Sequence, residues 1–465
     1  MSPREKTCCR EDPKNPEPAK ITFTTGHSSS IVRQHYDRDD TRRRRGQESR
    51  RLSGVTPTSQ KAEGRIVTSG VQQTKSFKRN PTNFSLFLNP FTIPLSMTEK
   101  TLSTKPHFQI LDALRGLAAI TVVIFHILEA HAKNHNEQIV NHGYLAVDFF
   151  FVLSGFVIGY AYDDRWGKMS YKDFFKRRLI RLHPMVVIAM IIGAIFYYTQ
   201  ASVVFPGISE VPVWQLLLTM FVGFTLLPIP PSLDIRGWGE MHPLNGPAWT
   251  LFFEYLANIL YALILRKLSN KILAVLLFVA GAALIHVAVF GPRGDLIGGW
   301  SLAPEQFLIG LTRLSYPFLA GLLVFRLIKP GKMKQGYLIS SMLLLAILAF
   351  PRIGGEENLW QNGIYDSLSV ILLFPLIVYI GASGSIKSER SVKFAKVLGG
   401  LSYPLYITHY PLIYWYFGYV YDNKLTLADA WPVGLGVLIA AITIGWLCLK
   451  LYDEPIRKRL KQRFL

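Results

Sequence analysis

From residue 106 onward, apolar blocks of about 20 residues recur with short polar breaks between them. They cover 108–130, 143–162, 182–204, 212–228, 249–266, 271–290, 307–328, 336–351, 365–382, 398–420 and 430–452. About 20 residues of α-helix span the roughly 30 Å of hydrocarbon in a bilayer. Every backbone N–H and C=O in lipid needs an internal partner, and blocks of this length meet that need as helices. The fold class expected is therefore all-α, a polytopic integral membrane bundle. Only 18% of the residues are charged, below the roughly 25% of a soluble chain, as a lipid-facing surface requires.

Loop charge decides how many blocks cross. Residues 163–181 hold Arg165, Lys168, Lys172, Lys176, Arg177, Arg178 and Arg181. The positive-inside rule puts this loop in the cytoplasm after two spans. Arg266, Lys267 and Lys271 also belong inside, which requires that block 212–228 does not cross. The same choice brings Lys329, Lys332, Lys334, Lys387, Arg390, Lys393, Lys396 and the C-terminal Arg457, Lys458, Arg459, Lys461 and Arg463 inside. The expectation is ten transmembrane helices, one re-entrant or interfacial helix, and both termini cytoplasmic. The inverted repeats of many transporters are missing.

Residues 1–105 differ from the rest. They are rich in Arg, Ser, Thr, Pro and Gln, and no apolar period persists. That composition reads as a disordered basic tail ahead of a membrane domain over 106–460. Met97 opens a short lead into the first span, so translation starting there is expected. Net charge is +20. It lies in the tail and the short loops rather than in a nucleic-acid footprint, so no nucleic-acid partner is expected. The three cysteines have neither disulfide nor zinc spacing, and no metal site is indicated.

Ionisable groups inside spans are costly and point to function. The first block, "FQILDALRGLAAITVVIFHILEAH", holds Asp112, Arg115 and His126. Eleven positions bring Arg115 and His126 within roughly 20° of one helix face, about 16 Å apart. Asp112 is placed to pair with Arg115. Asp148, near the outer end of the second block, either orients His126 or caps its own helix. Arg178 and Arg181 share a face where the third block begins. With Arg115 they make a candidate phosphate clamp, because guanidinium meets phosphate with paired donors. Glu254 is expected about one turn into the fifth block, at the depth of His126. A His–carboxylate pair there is a simple general base. "LSYPLYITHYPLIY", with Ser402, Tyr403, Tyr406 and His409, reads either as an interfacial aromatic set kinked at Pro404 or as part of the site. In the 228–247 loop, Trp238 and His242 are placed to stack on and bond to a sugar.

Six segments taken in order, "LDALRGLAAITVVIFH", "VDFFFVLSGFVI", "FKRRLIRLHP", "PAWTLFFE", "LSYPLYITHYPLI" and "YDEPIRKRL", carry a family likeness. Over roughly residues 106–460 the chain resembles the acyltransferase-3 family of membrane acyltransferases, which includes bacterial O-acetyltransferases of exopolysaccharide and lipopolysaccharide. Thr250 stands where the family's Trp-Ser-Leu-type motif has Ser. The resemblance implies an O-acyltransferase of the bacterial inner membrane with no permanently bound cofactor. Acyl-CoA, acetyl-CoA by family weight, is the implied donor, with its phosphates on Arg115, Arg178 and Arg181. His126 is the implied base, activating a hydroxyl of an extracytoplasmic carbohydrate or glycolipid acceptor. The competing functions are a secondary transporter or flippase for a saccharide or organic anion, and a non-catalytic scaffold on the same fold.

Overall fold

A computed structural model describes Lys105 and residues 107–465, apart from Lys133, His135, Asn136 and Pro330. The basic tail expected over 1–105, with the start at Met97, lies outside the described residues save for Lys105. The membrane domain is all-α, and no β-strand forms among the described residues. Its helices are α1 (Gln109–Glu129), α2 (Ala146–Tyr162), α3 (Tyr171–Phe196), α4 (Val213–Phe224), α5 (Ala248–Leu263), α6 (Asn270–Phe290) and α7 (Pro304–Leu327). They continue as α8 (Gly336–Ala349), α9 (Trp360–Leu368), α10 (Phe374–Ser383), α11 (Glu389–Thr408), α12 (Tyr410–Asp422), α13 (Leu427–Leu447) and α14 (Glu454–Phe464).

Among the described residues, 8 stretches are long and apolar enough to cross a membrane. They are α1, α2 with the turn before it, α3, α5, α6, α7, the continuous α9–α10 unit, and α13 running into α14. The chain is thus a polytopic membrane bundle. α4, α8, α11 and α12 fall outside that set. The 14 residues of α8 are few for a span. The first turns of α11 carry Glu389, Arg390, Lys393 and Lys396. With α8 and the α11–α12 pair added, the crossings would number the expected ten. At 12 residues, α4 is about 18 Å long and too short to cross.

Helix direction gives a second test of α4. Asp148 meets Arg313, Gly155 meets Phe318 and Gly159 meets Phe325, so α2 and α7 run parallel. With α3, α5 and α6 crossing between them, α7 can share the direction of α2 only if α4 does not cross. Asp112 lies against Gly399, Arg115 bonds Ser402 and His126 stacks on His409, so α1 and α11 are parallel too.

Small residues allow these close contacts. A Cβ on Gly321 would lie 1.9 Å from the Val152 carbonyl oxygen, and one on Gly116 would lie 2.4 Å from that of Leu398. The two interfaces hold α1, α2, α7 and α11 at the centre. By contrast α6 lies outermost, with Phe278, Val275 and Val279 directed outward as a lipid-facing surface.

Candidate functional site

The functional side chains gather at the two ends of α1. Arg115 lies at the first end. Its Nε donates to Ser402 Oγ at 2.9 Å and its other nitrogen to Asp112 at 2.8 Å. Ser170 and Asp173 form a capping box that fixes where α3 begins. That start aims Arg178 and Arg181, one turn apart, toward Arg115. Arg178 is buried, Arg181 is exposed, and Arg115 and Arg178 are the principal cations in the field of Arg181. The three arginines expected to form a clamp do converge.

Glu254 belongs to this cluster. Its Oε1 accepts from Arg178 at 2.5 Å and from Ser154 Oγ at 2.8 Å. It does not pair with His126, which corrects the expected depth. The expectation placed Glu254 only one turn below the start of the fifth block. In the structure, residues 240–250 are all buried. Pro411 has no N–H to give the Ile407 carbonyl. Asn245 Nδ2 fills that place at 2.8 Å, and Gly246 N–H donates to the Tyr414 hydroxyl at 3.2 Å. The start of α5 therefore lies inside the bundle, and Glu254 reaches the arginines instead.

His126 lies at the second end of α1. Its Nδ1 is 2.8 Å from Glu129 Oε2, one turn along the same helix. A carboxylate only accepts, so Nδ1 carries a proton, and in the neutral ring the lone pair is then on Nε2. His409 stacks on His126 with ring centres 5.8 Å apart, and the Tyr410 ring meets it edge-on at 4.9 Å. His409 Nδ1 donates to the carbonyls of Tyr406 at 2.8 Å and Leu405 at 3.2 Å. Its own Nε2 is buried without a partner in the protein. Two imidazole lone pairs therefore occupy one aromatic enclosure. Glu129 had a readable signal, a carboxylate three residues after an intramembrane His. His409 had one too, beside a proline that interrupts a helix.

Asp148 does not orient His126 either. It pairs with Arg313 at 2.6 Å, both fully buried. Arg313 also donates to the carbonyls of Gly298 at 2.9 Å and Tyr144 at 2.8 Å. The Tyr144 hydroxyl donates to Asp366, which also accepts from Leu296 N–H at 2.9 Å, while Asp295 pairs with Arg352. This network ties α2, α7 and α9 to the 291–303 loop. Arg313, in the middle of "FLIGLTRLSYPFL", was its unread signal.

The 226–247 loop walls the His126 end. Glu240 is buried and accepts from the Tyr414 hydroxyl, and desolvation raises its carboxyl to about 8. The Arg236 guanidinium lies 3.5 Å over the Tyr414 ring. A Cβ on Gly246 would lie 2.8 Å from Tyr410 and 3.0 Å from Glu240, so only glycine fits there. The two candidate sugar contacts are turned to packing. Trp238 lies against Phe205, Tyr414 and Phe417. His242 is buried against the Leu226 carbonyl at 3.3 Å, and burial lowers it to about 4.

Known proteins resemble this chain along most of the bundle. The O-acetyltransferase OatA of Staphylococcus aureus is 25% identical over 367 residues, covering 75% of this chain and 57% of OatA. This chain thus spans little more than half the length of that relative. The acyltransferase MdmB of Streptomyces mycarofaciens is 25% identical over 76% of this chain and 92% of MdmB. Protein 2 of the picA locus of Rhizobium radiobacter is 30% identical over 193 residues, 40% of this chain and 97% of that protein. No solved structure matches. The acyltransferase domain of family 3 matches residues 108–450, the greater part of the chain, and the protein belongs to the acyltransferase-3 family.

Proposed function

We propose that this protein is a membrane O-acyltransferase of the bacterial inner membrane. It takes an acyl group, acetyl by preference, from cytoplasmic acyl-CoA and gives it to a hydroxyl of an extracytoplasmic carbohydrate or glycolipid. One observation carries the reading. A cluster of arginines and a braced imidazole occupy opposite ends of one face of a central helix, about 16 Å apart. A ligand with phosphates at one end and a thioester at the end of a long arm fits that separation. The names of OatA and MdmB support the reaction class.

In this reading Arg115, Arg178 and Arg181 hold the donor's phosphates, and Glu254 with Ser154 fixes the Arg178 guanidinium. His126 Nε2 takes the proton of the acceptor hydroxyl while its oxygen attacks the thioester carbonyl. The C–S bond breaks, the acyl group ends on the acceptor oxygen, and the thiolate leaves to be protonated as free CoA. Glu129 holds the Nδ1 proton and stabilises the imidazolium that forms. Asp148 acts at a distance, by fixing Arg313 and with it the α2–α7 pair. The aromatic enclosure of Tyr410 and His409 keeps water from the thioester.

The test is thiol release from acetyl-CoA by purified protein with a panel of polysaccharide acceptors, alongside His126→Ala. Acceptor-dependent release should occur in the wild type and fall by about 10³-fold or more in the variant. Full transfer by His126→Ala would remove this mechanism. Saccharide movement across vesicles without thiol release would assign the arginines to a transported anion.

A further inference from the structure

Three guanidinium groups at the arginine end of α1 keep a buried Nε–H with no partner in the protein. They belong to Arg177, Arg178 and Arg457. Arg457 lies on α14, within the "YDEPIRKRL" segment and past the end of the 108–450 domain match. That helix packs along α3, with Arg457 held by Asp453 at 2.7 Å through a terminal nitrogen. Lys461, one turn further, lies in the field of Arg457, Arg181 and Arg177, and Asp453 lies in that of Arg457, Arg181 and Lys461. Two separate helices thus bring cations to one mouth.

Charge does not balance there. Arg115, Arg177, Arg178, Arg181, Arg457 and Lys461 meet four carboxylates, Asp112, Asp173, Glu254 and Asp453. Glu454 is taken by Lys450 at 2.6 Å. Leaving a buried N–H unbonded is costly, and an uncompensated excess of positive charge adds to that cost. Both are relieved by one kind of ligand, a polyanion whose oxygens accept from Nε and a terminal nitrogen together.

We infer that α14 supplies the second half of the donor site, with Arg457 and Lys461 holding a phosphate group distinct from the one on Arg178 and Arg181. This rests on the acyl-CoA reading above and narrows it. The donor recognised is one with two separated phosphate groups, the diphosphate and the ribose phosphate of coenzyme A. The ribose phosphate falls to α14, because its cations lie furthest from the path along α1 that the thioester arm takes. A phospholipid headgroup presents the same chemistry and is the competing source of phosphate.

Equilibrium binding to the purified full-length protein separates these cases without any acceptor. The probes are coenzyme A, dephospho-coenzyme A lacking the ribose phosphate, and nanodiscs of phosphatidylcholine with or without phosphatidylglycerol. Wild type should bind coenzyme A about tenfold more tightly than the dephospho form, the value of one charge-assisted phosphate contact. Arg457→Gln with Lys461→Gln should lower coenzyme A affinity to the dephospho level and leave dephospho affinity unchanged. Lys461→Gln alone keeps the Asp453–Arg457 pair, so it controls for folding of α14, and it should lose about threefold by the same logic. Equal wild-type affinity for the two probes overturns the inference, as does an equal loss of both in the double variant. A double variant that binds coenzyme A normally but loses its preference for phosphatidylglycerol overturns it in favour of lipid. Failure of wild type to bind coenzyme A at all removes the acyl-CoA reading itself, and the inference with it.

Discussion

The two ends of α1 solve opposite problems. At the arginine end charge meets charge: Arg178 on Glu254, Arg115 on Asp112 and Arg457 on Asp453, with Arg181 exposed. At the imidazole end the neighbours of His126 are mostly aromatic, and the single carboxylate beside it, Glu129, comes from its own helix. A cluster of like charges holds anions in a salt-dependent way. An aromatic enclosure around a base limits its contact with water and suits a proton transfer. The difference assigns binding to one end and chemistry to the other, and that division can be broken by experiment.

The largest effect should separate the ends outright. Arg178→Ala removes the partner of a half-buried Glu254 and a guanidinium of the clamp. It should raise the KM for acetyl-CoA by about 10²-fold, on the scale of a lost buried charge pair. His126→Ala should leave donor binding within about twofold while abolishing turnover, since the loss is confined to the transition state. Titration of coenzyme A binding and steady-state thiol release, run on both variants, checks this. If His126→Ala weakened donor binding as much as Arg178→Ala, the two ends would form one binding site and the division would be wrong.

The next effect lies within the imidazole end. The lone pair of His409 Nε2 has no donor, and a hydroxyl of the acceptor can supply one. His409→Leu deletes that lone pair and should lower kcat/KM for the acceptor by about 10²-fold, the range for an unpaired buried polar contact at a specificity site. His409→Gln presents an amide oxygen at similar reach and should recover most of it. Equal loss in both variants would reduce His409 to a packing residue.

How much of this was legible depends on which physical signal each residue carried. Arg115, His126, Arg178 and Arg181 were readable because helical periodicity alone places them, and the structure keeps each helix intact where they lie. That the 212–228 block does not cross was readable from loop charge, and the parallel run of α2 and α7 agrees with it. Depth was not readable across the loop before α5. Nothing in "HPLNGPAW" says that Asn245 will bond the carbonyl freed by Pro411, 166 positions away in the chain. Glu254 was therefore set at the wrong level. Asp148 was misjudged for a similar reason, since its partner Arg313 comes from α7 and pairing between distant helices leaves no spacing to read. Glu129 failed differently. It stood one turn from His126 in plain view, and a carboxylate at a helix end passes for an ordinary interfacial charge.

Glu129 offers a finer cut through the imidazole end. Glu129→Gln keeps a hydrogen-bond acceptor at Nδ1 but removes the negative charge that steadies the imidazolium. Turnover should fall by about tenfold, the lower part of the range for general-base assistance. Donor binding should stay within about twofold, because the carboxylate touches the imidazole and not the arginine end. Undiminished turnover would mean that Glu129 does not act on His126.

The smallest effect tests the wall behind the enclosure. Glu240 has its carboxyl raised to about 8 by desolvation, so the folded protein holds this proton where an unfolded chain releases it. A group with a raised folded pKa makes stability fall as pH rises, from the ordinary glutamate value of about 4.5 up to about 8, beyond which the loss is complete. The unfolding midpoint of the purified protein should therefore decline by several degrees, on the order of 3–4 kcal/mol of ΔΔG, between about pH 5 and pH 8. Glu240→Gln mimics the protonated acid and should flatten that decline while leaving the low-pH midpoint within about a degree. The arginine end makes a ready control. Glu254 pairs with Arg178, so Glu254→Gln should lower the midpoint without flattening the decline. If Glu240→Gln left the slope standing, the carboxyl would be ionised in the folded state. The 226–247 loop would then hold an Arg236–Glu240 ion pair at the imidazole end, and the contrast between the two ends would lose its sharpest support.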